Sequence, residues 1–465
     1  MKTYFTWIVT LFSLVISHAQ DITGDWNGLL KVQGMQLRIV FHVTATDGGY
    51  QSTMDSPDQG VNAIPVTATE YVAPVIKFAI AQAGILYEGQ VNGDEIKGAL
   101  NQGGQAYPLD LSREEVQKQE IKRPQTPVEP LPYTSEQVTF RNEIAGITLA
   151  GTLTLPGKDN KYPAVVLITG SGPQDRDESL MGHKPFLVLS DYLTRHGIAV
   201  LRFDDRGVSK SEGDFATATS ADFATDVAGA VAYLKTRKEI DAKKIGLAGH
   251  SEGGIIAPMV AADEKDIAFI VLLAGTGIRG DQLLLLQQKL IAQASGVIDE
   301  DVADAQSVNK RIFEIILETE NTDAMREMIS KELTKVIQDA APEEKPAGMT
   351  DQEWVELELK QIMSPWMQYF IKYDPAPTLA RVKCPVLAVN GAKDLQVPPA
   401  ENLTAIAAAL KSGGNKKATT IEYPGLNHLF QECTTGLPSE YGEIEQTMSP
   451  VMMDGVTQWI LRQVK

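Results

Sequence analysis

One serine in this chain has neighbours suited to nucleophilic catalysis. Ser251 lies in the pentapeptide Gly-His-Ser-Glu-Gly, residues 249–253, between a predicted strand (244–248) and a predicted helix. In such a G-x-S-x-G turn the serine hydroxyl projects above the sheet, and larger flanking residues would collide with the adjacent strand and helix. The pattern predicts a covalent nucleophile for acyl transfer. The alternative is a glycine-rich strand-to-helix turn without chemistry.

A serine hydroxyl needs a general base to become a nucleophile. Of the six histidines, only His428 follows Ser251 in the chain. Hydrolases with a serine elbow of this kind carry their catalytic groups in the order serine, acid, histidine. His428 also comes shortly after a predicted strand, 419–423, which would place it at the end of that strand. We therefore predict that it is the base, rather than a surface loop histidine.

The acid of such a site is expected at the end of the preceding strand. The apolar stretch 385–390 is followed by Asp394, which could hold the imidazole of His428 in one tautomer and stabilise its protonated form. Lys393 lies beside it, so a surface ion pair is the alternative interpretation. The predicted triad is Ser251, Asp394 and His428.

The elements that would position these groups alternate between strand and helix from residue 138 onward. Their strands are continuously apolar, which is typical of a parallel sheet covered by helices on both faces. Residues 277–380 show only helical periodicity, and the strand pattern resumes at residue 385. We expect a helical lid inserted into an α/β domain that spans residues 138–465.

The N-terminal third has a different pattern. Residues 20–121 contain short alternating segments separated by turn signals, which predict a small antiparallel β-barrel or sandwich with Trp26 in its core. Residues 122–137 form a linker with prolines at 124, 127, 130 and 132. Because proline fixes φ and removes a backbone donor, this linker should be extended and semi-rigid.

Residues 1–19 have the pattern of an export signal. Lys2 is followed by a short apolar run and by the small-residue site Ser17-His18-Ala19. No cysteine follows the run, so we expect a periplasmic or secreted protein without a lipid anchor. No stretch reaches the roughly 18 apolar residues that a membrane span requires.

Composition excludes several partners. A net charge of −18 repels nucleic acid and anionic membranes. The sequence has no phosphate-binding G-x-x-x-x-G-K-S/T loop and no Cys/His cluster, so we expect neither a nucleotide cofactor nor a metal. Cys384 and Cys433 are interpreted as unpaired thiols, although their pairing and the oligomeric state are not predictable from sequence.

These motifs resemble the α/β-hydrolase superfamily, and they are similar to those of bacterial exported esterase-like members grouped with serine aminopeptidases and dienelactone hydrolases. The resemblance covers about residues 138–465 and lies in the serine elbow and in residues 167–177, 202–207, 390–397 and 425–430. It implies a doubly wound, mostly parallel sheet with a helical lid insertion.

The resemblance also implies an oxyanion hole. Its backbone donors would be Glu252, which follows the serine, and Ser171 or the neighbouring Gly172 in the loop after the third strand. Residues 205–207, Asp-Arg-Gly, are expected to brace that loop rather than to react.

The expected reaction is hydrolysis of a small carboxylic ester through an acyl-enzyme on Ser251. One alternative is a serine peptidase for short peptides, which would need carboxylates for a substrate amine. Asp175, Asp177, Glu178 or a lid glutamate could provide them. The other alternative is a non-catalytic binding protein on this fold, which the three filled triad positions disfavour.

Overall fold

The computed structural model describes residues 21–32, 35–102, 105–117, 121–157, 160–340, 345 and 349–465. The expected leader, residues 1–19, lies outside the described residues. The chain forms two compact units, one containing most of residues 21–117 and the other most of residues 121–465.

The first unit is antiparallel β-structure. Its ten described strands form one sheet in the order β4-β3-β2-β1-β10-β8-β7-β6-β5, with β9 paired to β8. The strands are β1 (Gly24–Val32), β2 (Met35–Thr46), β3 (Gly49–Ser56), β4 (Val61–Pro65), β5 (Ala68–Val72), β6 (Val75–Ile80), β7 (Ile85–Asn92), β8 (Glu95–Gln102), β9 (Gln105–Pro108) and β10 (Leu111–Ser112).

Alternation of buried and exposed side chains along these strands builds the core of the first unit. Trp26 is fully buried there, as predicted, and its indole Nε1 donates to the Ile22 carbonyl at 2.8 Å. The rings of Phe41 and Phe78 stack with centroids 4.2 Å apart. Side chains therefore fill the interior of this unit.

The second unit contains a mostly parallel sheet. Its eight described strands lie in the order β11-β12-β14-β13-β15-β16-β17-β18, and only the pairs β11–β12 and β12–β14 are antiparallel. The strands are β11 (Thr134–Asn142), β12 (Ile147–Leu155), β13 (Tyr162–Ile168), β14 (Ala199–Phe203), β15 (Ile240–His250), β16 (Ile270–Leu273), β17 (Val386–Gly391) and β18 (Ala418–Tyr423).

Helices cover both faces of this sheet. One face packs against α2 (Ser220–Thr236), α3 (Gly253–Asp263), α9 (Pro375–Arg381) and α10 (Pro399–Ser412), and the other against α1 (Pro185–Arg195) and α11 (Pro450–Gln463). Strand β13 is apolar throughout because both of its faces are covered by helices. Val166 faces the first helix layer and Val165 faces the second. The predicted doubly wound sheet preceded by an all-β unit is confirmed.

Between β16 and β17 the chain is helical, as the periodicity predicts. The helices are α4 (Gly280–Ala294), α5 (Asp299–Glu318), α6 (Thr322–Asp339), α7 (Asp351–Ile362) and α8 (Pro365–Lys372), followed by α9 on the sheet. Residues from α5 to α8 form an apolar cluster of their own, which includes Phe313, Ile329 and Leu359. Among the described residues, no helix is both long and apolar enough to cross a membrane.

The linker is shorter than its composition predicts. Strand β11 begins at Thr134, inside the segment 122–137, because residues 134–142 pair along their whole length with β12. Upstream, Arg123 donates to the backbone carbonyls of Gly442 and Ile444 at 2.7 and 2.6 Å, so part of the linker is bound to the second unit.

A buried ion pair joins the end of β14 to α2 and β11. Arg206 donates through Nε and Nη2 to Asp226, at 2.7 and 2.9 Å, and Asn142 donates to the same carboxylate at 2.6 Å. Arg206 is 7% exposed and Asp226 is 2% exposed. The buried Asp226 carboxylate therefore holds Arg206, the residue that follows Asp205, in place.

Replacing Asp226 with alanine should lower the free energy of unfolding by about 3–5 kcal/mol, because the Arg206 guanidinium would stay buried without a counter-charge. Urea unfolding followed by circular dichroism measures this loss. The matched control is Asp263→Ala, which breaks an exposed pair with Arg381 and should cost less than about 1 kcal/mol. Equal losses in the two variants would contradict a structural role for the buried pair.

Candidate active site

The predicted nucleophile sits in a strained turn. Ser251 directly follows β15 and has φ +52°, a left-handed conformation that non-glycine residues rarely adopt. Its amide donates to the Leu273 carbonyl of β16 at 2.9 Å, which fixes the turn to the sheet. Strain of this kind persists where the surrounding structure enforces it, and it is typical of functional sites.

The glycines around Ser251 are required by close backbone contacts. A Cβ on Gly249 would lie 1.9 Å from the Gly253 carbonyl oxygen, and one on Gly253 would lie 2.3 Å from the Ile168 oxygen. A Cβ on Gly254 would lie 2.5 Å from the Cα of Gly275. Any larger residue at these positions would therefore collide with the backbone, as the pentapeptide predicts. Only glycine allows α3 to begin directly against β13.

Asp394 and His428 are brought together at the carboxyl edge of the sheet. His428 Nδ1 lies 2.8 Å from Asp394 Oδ2, and both residues are buried. Asp394 Oδ1 accepts from the amides of Gln396 and Val397, each at 2.8 Å, so the carboxylate cannot rotate freely. This arrangement leaves His428 Nε2 available as a proton acceptor.

Sheet topology brings this pair to the same edge as Ser251. The elbow follows β15, Asp394 follows β17 and His428 follows β18, and all three strands are parallel members of one run. The ring of His250, the neighbour of Ser251, has its centroid 4.8 Å from that of His428. The three predicted triad residues thus come from adjoining loops.

The His428 loop is braced by Asn427 within it and by His183, whose Nε2 lies 3.0 Å from Nε2 of Gln431. Asn427 Oδ1 accepts from the amides of Leu429 and Gln431 at 3.1 and 2.9 Å. His183 contacts the Thr447 hydroxyl and the Tyr441 carbonyl, each at 2.9 Å. Burial, with a smaller contribution from the charge of Arg123, lowers the pKa of His183 to about 4, so it is neutral.

The loop after β13 passes beside the nucleophile. A Cβ on Gly170 would lie 3.3 Å from the Cβ of Ser251. The Gly170 amide donates to Glu178 Oε1 at 2.9 Å, which excludes it as an oxyanion donor. In the described part of the chain no hydrogen bond engages the amides of Ser171, Gly172 or Glu252. These predicted donors therefore remain available for an oxyanion.

Asp205 braces this loop, as expected. Its carboxylate accepts from the Thr169 hydroxyl at 2.7 Å and from the Gln174 amide at 3.0 Å, and so holds both ends of residues 169–174. Burial raises the pKa of Asp205 well above its usual range against the effect of these two bonds. The side chain is therefore a structural acid rather than a solvent-exposed charge.

The acids suggested as amine anchors are already engaged. Asp175 Oδ1 accepts from the amides of Asp177 and Ser179, each at 3.0 Å. Asp177 pairs with Arg202 and with Lys184. Glu178 is buried against His250 at 2.9 Å. These three acids, which the sequence offers only as candidate anchors for the peptidase alternative, thus already have partners within the protein.

One contact to the lid was not foreseen from the sequence. Glu252 is 2% exposed, and its Oε1 accepts from the Ser220 hydroxyl at 2.5 Å and from the Trp366 indole at 2.8 Å. Burial raises the pKa of this carboxyl group against both hydrogen bonds. Helix α8 is thereby attached to the residue that follows the nucleophile, and no motif around Trp366 signals this.

The remaining chemistry-bearing side chains are isolated. Over the described residues, no group of three or more His, Cys, Asp and Glu side chains could hold a metal ion. The thiols of Cys384 and Cys433 are free and partly buried. Burial raises the pKa of Cys384 to about 11 and also raises the pKa of Cys433, so both thiols are protonated at neutral pH.

The fold and the site define a hydrolase of the α/β-hydrolase superfamily. Within it, residues 145–421 match the model of the X-Pro dipeptidyl-peptidase (S15) family. This match spans more than half of the chain, so the chain belongs to the S15 family.

Individual relatives are distant. Esterase EstD of Thermotoga maritima is 23% identical over 339 residues, which is 72% of this chain and 69% of that protein. A Pyrococcus furiosus esterase structure is 16% identical, with a TM-score of 0.41, covering 71% of this chain and 93% of its own. Est1E from Butyrivibrio proteoclasticus with bound ferulic acid is 18% identical, with a TM-score of 0.40, covering 70% and 99%.

Replacing Asp394 with asparagine should lower kcat by about 10⁴-fold, because an amide no longer enforces the productive His428 tautomer. Turnover of an activated acyl substrate, with circular dichroism as a check on folding, measures the effect. Glu422→Gln, an exposed change on β18, should retain wild-type turnover. A loss below about tenfold in Asp394→Asn would mean that another group orients His428.

Proposed function

We propose that this protein is an exported serine hydrolase that cleaves small carboxylic esters through an acyl-enzyme on Ser251. The observation that carries the proposal is the buried Asp394–His428 pair at the sheet edge that also bears the serine elbow. Each group has a defined role in acyl transfer. The substrate is a small molecule, and the reaction needs no cofactor.

In the first half-reaction His428 Nε2 accepts the Ser251 proton while Oγ attacks the ester carbonyl. The oxyanion that forms accepts hydrogen bonds from the Glu252 amide and from the amide of Ser171 or Gly172. His428 then protonates the departing alkoxide oxygen. In the second half-reaction His428 accepts a proton from a water molecule, which attacks the acyl-enzyme. His428 then returns the proton to Ser251 Oγ, and the carboxylic acid is released.

Two observations favour esters over peptides. An amide nitrogen leaves only if it is protonated in the transition state, which requires a substrate held in register. The acids of residues 175–178 are committed to hydrogen bonds and ion pairs within the protein, so they provide no ready anchor for a peptide amine. The similarity to a protein named as an esterase points the same way.

A peptidase acting on short peptides is the second candidate. The name of the matching family, X-Pro dipeptidyl-peptidase, favours it. A substrate amine would then need a carboxylate close to the nucleophile. Glu252 is the nearest one along the chain, but Ser220 and Trp366 occupy its Oε1.

Export is proposed from the leader pattern of residues 1–19. Expression of the full chain in a bacterial host should give a periplasmic or secreted product that begins at Gln20. Intact-mass analysis of the soluble product measures the new terminus. An uncleaved chain retained in the cytoplasm would contradict the export proposal and would leave the hydrolase proposal untouched.

A substrate panel tests the reaction itself. Short and medium p-nitrophenyl esters should be hydrolysed with kcat/KM at least about two decades above that of Ala- and X-Pro-p-nitroanilides, equivalent to about 2.8 kcal/mol of transition-state stabilisation. Ser251→Ala is the matched control and should lose both activities. If kcat/KM on X-Pro anilides were comparable to kcat/KM on the esters, the peptidase proposal would replace the ester proposal. Activity that survives in Ser251→Ala would overturn both.

A further inference from the structure

His250, the residue before the nucleophile, is bonded at both ring nitrogens. Nδ1 lies 2.9 Å from Glu178 Oε1, and Nε2 lies 3.0 Å from the backbone oxygen of His428. His250 is 7% exposed and Glu178 is 5% exposed. The sequence assigns His250 no role beyond being unable to serve as the triad base, and the structure shows what it contacts instead.

With Glu178 ionised, the two acceptors set the number of protons on the His250 ring. A carbonyl oxygen only accepts, so Nε2 must carry a hydrogen, and an ionised carboxylate also only accepts, so Nδ1 must carry one as well. A neutral imidazole beside an ionised Glu178 would leave a ring lone pair facing an oxygen lone pair in a buried site, which is unfavourable. With Glu178 ionised, the geometry therefore requires an imidazolium paired with a carboxylate.

The surrounding charges agree with this proton count. Burial by itself lowers the pKa of His250, but the charge and hydrogen bond of Glu178, the His428 carbonyl and the charge of Asp394 outweigh it, and the pKa is raised. The ring of His428 faces His250 from the loop after β18. Asp205, on the loop after β14, also senses the Glu178 charge.

The pair links three parts of the catalytic machinery. Glu178 Oε1 accepts from the Gly170 amide as well as from His250, and so fixes the loop that leads into Ser171 and Gly172. His250 belongs to the elbow itself, and its other nitrogen holds the backbone of the catalytic base. Glu178 has φ +53°, so its own backbone is constrained within this network.

We propose that His250 and Glu178 are positioning residues whose buried imidazolium–carboxylate pair aligns the oxyanion loop and the His428 backbone with the nucleophile elbow. Neither residue touches the substrate or the reacting atoms. The inference rests on the proposed serine-hydrolase function, and it adds two residues to a site otherwise defined by its triad and oxyanion donors.

The consequence is a second titration in the activity profile. A general base must be unprotonated to accept a proton, so the activity of such a site falls at low pH. His250 must be protonated to make both of its bonds, so activity also falls when the pH rises through its raised pKa. The stability that the pair contributes has the same sign: it is fully present below the pKa of histidine in the unfolded chain and is lost as the pH rises through the raised folded-state pKa of His250.

Glu178→Gln tests the pair because an amide can still accept from Gly170 but carries no charge. The alkaline limb of the kcat profile for ester hydrolysis should move to lower pH by about one unit or more, while the acid limb stays in place. On the alkaline side of the wild-type optimum kcat should fall on the order of tenfold, with KM changed by less than about twofold. Glu264→Gln, on the partly exposed end of α3, is the matched control and should match wild type.

A structural role without the charge pair would give a different result. In that case Glu178→Gln would lower kcat by the same factor at every pH, and both limbs would stay where they are. That outcome, or unchanged kinetics, overturns the proposal.

A second measurement reads the protonation state without any turnover. In Ser251→Ala labelled with ¹⁵N-histidine, a nuclear magnetic resonance titration should show His250 keeping both ring nitrogens protonated above the pH at which an ordinary histidine loses one. A neutral single tautomer overturns the proposal, and this result decides the matter if Glu178→Gln fails to fold. Failure of the proposed function is separate: wild-type protein would then hydrolyse no acyl substrate, whatever the His250 resonance shows.

Discussion

The left-handed backbone of Ser251, at φ +52°, is the constraint on which the rest of the site depends. It lets a strand end and a helix begin within two residues, so the hydroxyl projects from the sheet edge and the first amides of α3 face the same space. The turn closes only because Gly249, Gly253 and Gly254 have no side chain. The strain is sustained by helix α3, whose Ile255, Ile256 and Val260 are buried.

Buried acids hold the loops that meet at this elbow. Asp205 fixes both ends of the loop after β13, Glu178 fixes its start through Gly170, and Glu252 connects the elbow to Ser220 and to Trp366 of the lid. Each carboxyl group has specific donors within the protein, as a buried polar group requires. Loss of one donor would leave a buried group unsatisfied, so these loops are expected to be rigid before substrate arrives.

Sequence motifs and periodicity predict the features of this protein that depend on residues close together in the chain. Motif and chain order indicate the serine elbow and the candidate triad Ser251, Asp394 and His428. Helical periodicity predicts the run of helices between β16 and β17. Strand β11 begins at Thr134, within the segment 122–137 that was predicted as a linker, because pairing with β12 decides where the strand begins. The partners of Asp177 and Glu178, Arg202 and His250, lie far along the chain, so the sequence could not show that these acids are engaged.

Contacts between distant residues carry no such pattern. Glu178 meets His250 across 72 residues, and Trp366 meets Glu252 across 114. Neither pair has a spacing or composition that marks it, because tertiary packing alone creates the contact. A histidine next to the serine is compatible with many environments, and only the contacts of its two ring nitrogens with Glu178 and the His428 carbonyl indicate its proposed role.

The most direct test of the account is to trap the acyl-enzyme. When the purified chain is mixed with excess p-nitrophenyl acetate, acylation through the activated leaving group should release close to one equivalent of p-nitrophenol in a burst before slower turnover. After an acid quench, peptide mapping should find the acetyl group on Ser251, and Ser251→Ala should show neither the burst nor the label. An acetyl group on another side chain that forms at the burst rate, or a full burst in Ser251→Ala, would contradict the account.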